Sequence, residues 1–490
     1  MTLAGIVSSL RVTAPVWTIL PFLLASCAPA QHREASGGVA QPAMQREGFD
    51  PSGIVMVAAR TPVRHSQPAV KSDQLTASER TLLPFFTALK GLETGARKEP
   101  VTILQIGDSH TAGDFLSGQM RTLLQAKFGT AGRGIVPPGL PDKYYRPDLI
   151  QVAESDHWQR TRAANPDTTE KFGVAGVIQR AAGPRQTMTL SSTEDSGFNH
   201  GFVEVLGPGK FNLTVDAGPP RSFDLPDTVP QGEWIEFDVP EGSHALTLDT
   251  IDNSPVTLLS WGIQRQKPGI LYSNLGTIGA TSNLIGRFDA GVVQSELQHV
   301  DPALIIVAFG TNEAFGNPGD LANFRNDFIS NVNVLAKAAP GAAIVIVGPP
   351  DVNRRYRRPT GVSGECTTRP LAEAALTTTP TQPAHPASKK GRAARGTVWA
   401  PPPVLNSIRA DERAAAEANG WYFWDWEAAM GGPCAAHRWT LQETPLSRPD
   451  HVHQTIAGYQ LTAERLFTEL MRGYDSFNRY EDKHPAPLKH

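Results

Sequence analysis

Residues 103–115 read ILQIGDSHTAGDF: an apolar run breaks at Gly107-Asp108-Ser109-His110, and a helical pattern follows at once. A serine placed there has two uses. It can accept an N–H bond at the start of the helix, or it can attack an acyl carbon if a histidine takes its proton and a carboxylate fixes that histidine. Three other stretches bear on the choice: Gly276-Thr277-Ile278-Gly279, Gly310-Thr311-Asn312-Glu313, and RPDHVHQTIAGYQ, where Asp450 and His453 lie three apart just before the last helical pattern. Each has an ordinary structural use on its own. Gly279 suits a turn, Asn312 a helix cap or loop, Asp450 a helix N-terminus, and His453 the surface. Together they make up the parts of acyl transfer: Ser109 as nucleophile, His453 as base, and Asp450 to orient it. The backbone N–H groups of Ser109 and Gly279 and the Asn312 amide would form an oxyanion hole, in which each donor is worth roughly 3 kcal/mol. His451 competes with His453 for the role of base.

These residues need elements that bring them together. PVTILQI is a short continuous apolar run, the pattern of a strand buried on both faces. DFLSGQMRTLLQAKFG then sets Leu116, Met120, Leu123 and Leu124 on one helical face, with Gly129 as a stop. A short helix is expected from Ser78 to Leu92. Strand patterns recur at 269–280, 303–313, 342–350 and 421–426, separated by helical patterns at 281–298, 319–338, 403–419 and 455–473. That alternation predicts a parallel sheet with helices on both faces, which gathers ligand-facing residues at the carboxyl ends of its strands. Between about 151 and 265 the period changes to two, as in KFNLTVDA, WIEFDVP and HALTLDT. Several short strands without helices between them predict an antiparallel β-sandwich inserted in the α/β domain.

On these residues the chain resembles the SGNH (GDSL-like) hydrolase superfamily. Gly107-Asp108-Ser109 matches its first block, Gly279 its second, Gly310-Thr311-Asn312 its third and Asp450-x-x-His453 its fifth. The resemblance implies a flavodoxin-like three-layer α/β/α fold and ester hydrolysis without a cofactor or metal. It implies Ser109, Asp450 and His453 as the triad and Ser109, Gly279 and Asn312 as the oxyanion hole. The family's D-x-x-H spacing selects His453 over His451, whose side chain, adjacent to Asp450, points away from it. GDSHTAGDF is similar to the first block of bacterial peptidoglycan O-acetylesterases, which carry a β-sandwich resembling a carbohydrate-binding module between their first and second blocks. The expected activity is removal of O-acetyl groups from a glycan, with peptidoglycan as the substrate. An acetyltransferase on the same triad, a lipase or lysophospholipase, and a non-catalytic envelope-binding protein are the alternatives.

The 490 residues suggest two or three domains at roughly 150 residues each. With a net charge of −3 there is no global basic field, so nucleic acid is not an expected partner. Arg11 precedes an apolar stretch of secretory length ending in Leu24-Ala25-Ser26-Cys27, which resembles the lipobox of bacterial lipoproteins. It implies lipid attachment at Cys27, a membrane partner through that anchor, and a periplasm-facing place in the cell envelope, at the outer membrane if there is one. The expected organisation is a lipoprotein signal peptide (1–27), a flexible linker (28–77) and the first part of the hydrolase domain (78–150). The inserted β-sandwich (151–265), the second part of the hydrolase (266–475) with a disordered loop at 359–400, and a tail (476–490) follow. RRYRR (354–358) and KKGR (389–392) are read as solvated charge. An exported chain meets oxidising conditions, so Cys366 and Cys434 are candidates for a disulfide; neither has metal-ligand spacing.

Overall fold

A computed structural model of the protein describes residues 75–181, 183–225, 231–357, 364–366 and 396–484. The Cys27 lipobox, most of the linker, most of the 359–400 loop with KKGR, and the last residues of the tail lie outside them. Six strands run parallel in the spatial order Thr130–Gly132, Ile270–Gly276, Val101–Gly107, Leu304–Ala308, Ala343–Val347 and Tyr422–Trp424. Every residue of Val101–Gly107, Leu304–Ala308 and Ala343–Val347 is buried, because helices cover both faces. On one face Ile103, Ile306 and Val345 meet Phe85 and Phe86, Leu116, Met120 and Leu124, and Leu466, Leu470 and Tyr474. On the other face Leu104, Val307 and Ile346 meet Val292 and Leu297, Phe328 and Val332, and Ile408. The architecture is mixed α/β around a central parallel sheet.

The helical stretches follow their sequence patterns with local differences. The 281–298 pattern divides into a 3₁₀ turn, Ser282–Arg287, and a helix, Ala290–Val300, which starts where Asp289 accepts the N–H groups of Gly291 and Val292. The first helix also divides, into Ala77–Arg80 and Leu83–Glu93, with Pro84 near the start of the second piece. The last helix runs on from Ile456 to Lys483, because Leu470, Tyr474 and Phe477 continue its apolar face.

The period-two region forms antiparallel strands from Ile150–Glu154 to Val256–Gln264. Five of them make a sheet in the order Ile150–Glu154, Thr187–Ser192, Ala245–Thr250, Gly209–Val215, Arg221–Leu225. The others do not stand apart from the α/β body. Glu233–Ser243, Phe198–Leu206 and Val256–Gln264 pair in that order, and Val256–Gln264 joins the edge of the parallel sheet through the Gln264–Gly132 pair. One sheet of eleven strands therefore runs through both regions. Met188, Leu190, Phe211 and Leu248 of the five-stranded sheet share a core with Val203, Val205, Leu258 and Trp261 of the larger one.

Candidate active site

The Val101–Gly107 strand ends at a glycine because nothing larger fits: a Cβ on Gly107 would lie 2.4 Å from Thr111 Oγ1 and 2.6 Å from the Ala308 carbonyl. The chain turns there into a one-turn helix, Ser109–Ala112. Its cap is Asp108, whose Oδ1 accepts the His110 N–H at 2.9 Å, so the capping role falls to the residue before Ser109. The Ser109 hydroxyl is left to face His453, its Oγ 3.0 Å from Nε2.

His453 comes from the other end of the chain, in a turn closed by the Arg448 N–H donating to the His453 carbonyl at 2.8 Å. Its Nδ1 is 2.8 Å from Asp450 Oδ2, while Asp450 Oδ1 accepts the N–H groups of Val452 and His453, both at 2.9 Å. Partial burial opposes ionisation of Asp450, but the His453 ring and these two N–H groups hold its carboxyl well below the usual carboxylate range. His451 lies elsewhere. Its ring stacks on Trp399 at 3.7 Å and 7°, and burial lowers its pKa to about 4.

The remaining strand ends converge on the same place. Gly279 has φ +76° and Gly310 φ +102°. The Asn312 amide donates to the Ala280 carbonyl at 2.8 Å and lies 3.4 Å from Asp108 Oδ2. Burial above all, opposed by the His110 N–H bond, raises Asp108 to about 7. A cavity of about 470 Å³ opens on Ser109 and His453, walled by Phe115, Tyr144, Ile278 and Tyr459, with Asp142, Arg146 and Arg448 as its charged lining. A second cavity of about 280 Å³, bordered by Thr102, Leu271 and Trp234, lies at the opposite ends of the parallel strands and contains no Ser109-like nucleophile.

Sequence reasoning passed over several groups that support this arrangement. His110 is buried behind the His453 ring, 5.4 Å between centroids, with Nδ1 2.9 Å from the Tyr459 hydroxyl; burial, then the nearby His453, lowers its pKa to about 3. Asp114 is buried with Arg121 at 3.1 Å and Arg133 at 2.6 Å, below the turn that presents Gly113 and Phe115 to the cavity. Glu313 accepts the N–H groups of Ser282 and Gly310, tying the third block to the segment after Gly279. Glu412, from a distant helix, lies beneath Gly310, where a Cβ would meet its Oε1 at 2.8 Å. Only the Asp and Glu at strand ends offered a sequence signal; Arg133 and Glu412 offered none. A disulfide joins Cys366 to Cys434, and Asp351 accepts the Cys434 and Ala436 N–H groups at 2.9 and 2.8 Å. Among the described residues no cluster of ligands could hold a metal ion.

Residues 243–466 match the family model described as GDSL-like Lipase/Acylhydrolase, a span that holds Gly279, Asn312, Asp450 and His453 but not Ser109. A solved peptidoglycan O-acetylesterase is similar to 80% of this chain and 96% of its own, with 25% identity and a TM-score of 0.61. Two family two carbohydrate esterases are more distant. The one from Clostridium thermocellum has 12% identity and a TM-score of 0.28, over 70% of this chain and 100% of its own. The one from Cellvibrio japonicus has 14% identity and a TM-score of 0.24, over 70% of this chain and 98% of its own. No curated protein matches the sequence.

Proposed function

The chain is an esterase of the SGNH (GDSL-like) superfamily, and from that premise we propose that it removes O-acetyl groups from a cell-envelope glycan, with peptidoglycan as the substrate. The observation that carries the reading is the relay from Ser109 Oγ to His453 Nε2 and from His453 Nδ1 to Asp450, at 3.0 and 2.8 Å, on the wall of a cavity open to solvent. Ser109 Oγ bonds to the acetyl carbon as its proton passes to His453 Nε2. The carbonyl oxygen becomes an oxyanion, met by the N–H groups of Ser109 and Gly279 and by the Asn312 amide. That amide is anchored on Ala280 through one hydrogen, while its contact to Asp108 is long enough to yield. When the C–O bond to the sugar breaks, His453 returns the proton to the leaving oxygen. Water then attacks the acetyl-enzyme with His453 again as base, and releases acetate and free Ser109.

A glycan rather than a lipid is favoured by the cavity's short apolar rim of Phe115, Tyr144 and Ile278, which are 36%, 66% and 38% exposed and suit one face of a sugar ring. The similarity to a peptidoglycan O-acetylesterase points the same way. In this reading the antiparallel strands are an inserted β-sandwich that shapes access to the polymer, and Cys27 carries a lipid that holds the enzyme in the cell envelope. The test is acetate release from O-acetylated peptidoglycan, compared with O-acetylated xylan and a short phospholipid. Peptidoglycan should be the best substrate, and Ser109→Ala should stay folded yet lose hydrolysis of both peptidoglycan and p-nitrophenyl acetate. A fully active Ser109→Ala would end the proposal, and a phospholipid preference would redirect it to a lipase.

A further inference from the structure

The antiparallel region has a cavity of its own, about 370 Å³ in volume. It opens between two edge strands, Arg221–Leu225 of the five-stranded sheet and Glu233–Ser243 of the larger one. Leu213, Val215 and Phe223 wall it from the first sheet, Phe237 and Val239 from the second. Leu213 and Phe237 belong to the core that the two sheets share, while Val215, Phe223 and Val239 are only half-buried. At this edge, then, the sheets leave part of their apolar inner surface open to a cleft.

One residue interrupts that surface. Side chains alternate across a strand, so Arg221 stands on the same inward face as Phe223 and Leu225, paired with buried Leu213 of the neighbouring strand. Among the described residues its guanidinium forms no hydrogen bond or ion pair. The other polar side chains of the cleft are engaged. Asp216 Oδ1 accepts the His244 and Ala245 N–H groups at 3.0 and 2.9 Å, Asp238 Oδ1 lies 2.9 Å from His200 Nδ1, and the Ser243 hydroxyl donates to the Pro240 carbonyl. What the side chains offer is an apolar slot with a single available charge, and that charge is positive. The hydroxyls of a sugar would find few partners here. A hydrocarbon chain that ends in an anion matches both parts: the chain leaves water against the valines and phenylalanines, and a carboxylate meets the guanidinium fork in two-point contact. We propose that this cleft binds a medium-chain fatty carboxylate, with its chain between the two sheets and its carboxylate on Arg221. Such binding is independent of the acyl transfer, since the cleft and the catalytic cavity share no lining residue. An inward charge on an edge strand also discourages pairing with another chain, and substitution separates the two uses.

Isothermal titration of the full chain with dodecanoate, below the concentration at which it forms micelles, should show one site per chain. Decanoate should bind roughly tenfold more weakly, at about three- to fourfold per methylene lost. Dodecyltrimethylammonium, the same chain with the opposite charge, should bind at least about tenfold more weakly than dodecanoate. Arg221→Gln should weaken dodecanoate roughly three- to tenfold, as expected of one solvent-accessible charge-assisted contact. Val239→Phe, which fills the cleft, should weaken both amphiphiles; Val215→Phe serves if that variant does not fold. Hydrolysis of p-nitrophenyl acetate should be unchanged in each folded variant and in the presence of saturating dodecanoate. Absence of saturable binding to the unaltered protein would overturn the proposal. So would full affinity in Arg221→Gln, which together with self-association of that variant would mark the arginine as an edge guard. Inhibition of the esterase at the dodecanoate concentration that half-fills the site would overturn it too, because the chain would then lie in the catalytic cavity.

Discussion

Asp450 tests the proposed chemistry in two different ways through two replacements. In the resting site its Oδ2 holds His453 Nδ1 at 2.8 Å, and its Oδ1 holds two backbone N–H groups of the same turn. When Ser109 gives up its proton, His453 becomes an imidazolium beside that carboxylate. With charge centres ~4 Å apart and an effective dielectric of ~20, the attraction is about 4 kcal/mol. Side-chain exposures of 46% for Asp450 and 35% for His453 admit water, and screening cuts this to about 2 kcal/mol. Asp450→Ala should therefore lower kcat by about 30-fold at 1.36 kcal/mol per tenfold. Asp450→Asn keeps the shape and the bonds to Val452 and His453 N–H, but it presents an amide donor to Nδ1. The ring then keeps its proton on Nε2, where it faces Ser109 and cannot accept, and the loss should approach roughly 10³-fold. The isosteric change is thus expected to be more damaging than the truncation. The assay is kcat on p-nitrophenyl acetate at pH 8 for both variants, with thermal melts to confirm equal folding. If Asp450→Asn is the faster of the two, the carboxylate does not set the tautomer of His453 and the relay is misassigned.

His453→Ala should reduce esterase activity to background, whereas His451→Ala should keep most of it and lose about 1 kcal/mol of stability with its stack on Trp399; kinetics and urea unfolding on the two variants report each effect. Asp108 and Asp351 should each contribute stability that is lost between about pH 4 and pH 7, because burial raises them to about 7 and about 6 from an unfolded value near 3.8, against the opposite contributions of His110 and His451, which burial lowers to about 3 and about 4 from 6.5. A folded state that binds the proton more tightly gains stability that is complete below the unfolded pKa and is lost as pH climbs through the folded one. Across that window the melting temperature of the unaltered protein should fall relative to that of Asp108→Asn, whose neutral side chain makes no such contribution.

The alternation of apolar strands and amphipathic helices was legible because Val101–Gly107, Leu304–Ala308 and Ala343–Val347 are buried on both faces, and burial of that kind leaves a continuous apolar signature in sequence. Residue type at the strand ends was legible too. Less so was what Asp108 does, since whether it or Ser109 caps the short helix depends on backbone angles that either residue can adopt. The difference between His451 and His453 is likewise one of direction: the first has φ +56° and turns toward Trp399, the second faces Ser109. Glu412 under Gly310 and Arg133 against Asp114 come from segments with no motif, and only the packed chain reveals them. The joining of the antiparallel strands to the parallel sheet rests on a short pairing at Gln264 and Gly132, too brief to leave any period in the sequence.

That brief pairing makes the antiparallel region poor material for excision. Thr130–Gly132 borders the catalytic sheet and is shielded on its outer side by Val256–Gln264. A shortened chain lacking 150–264 would bare the backbone donors and acceptors of that rim, together with the neighbouring apolar side chains of Ile135 and Val136, to any passing strand. Trimming toward a minimal esterase should therefore yield precipitate rather than a smaller catalyst, unless the uncovered rim is first furnished with charge.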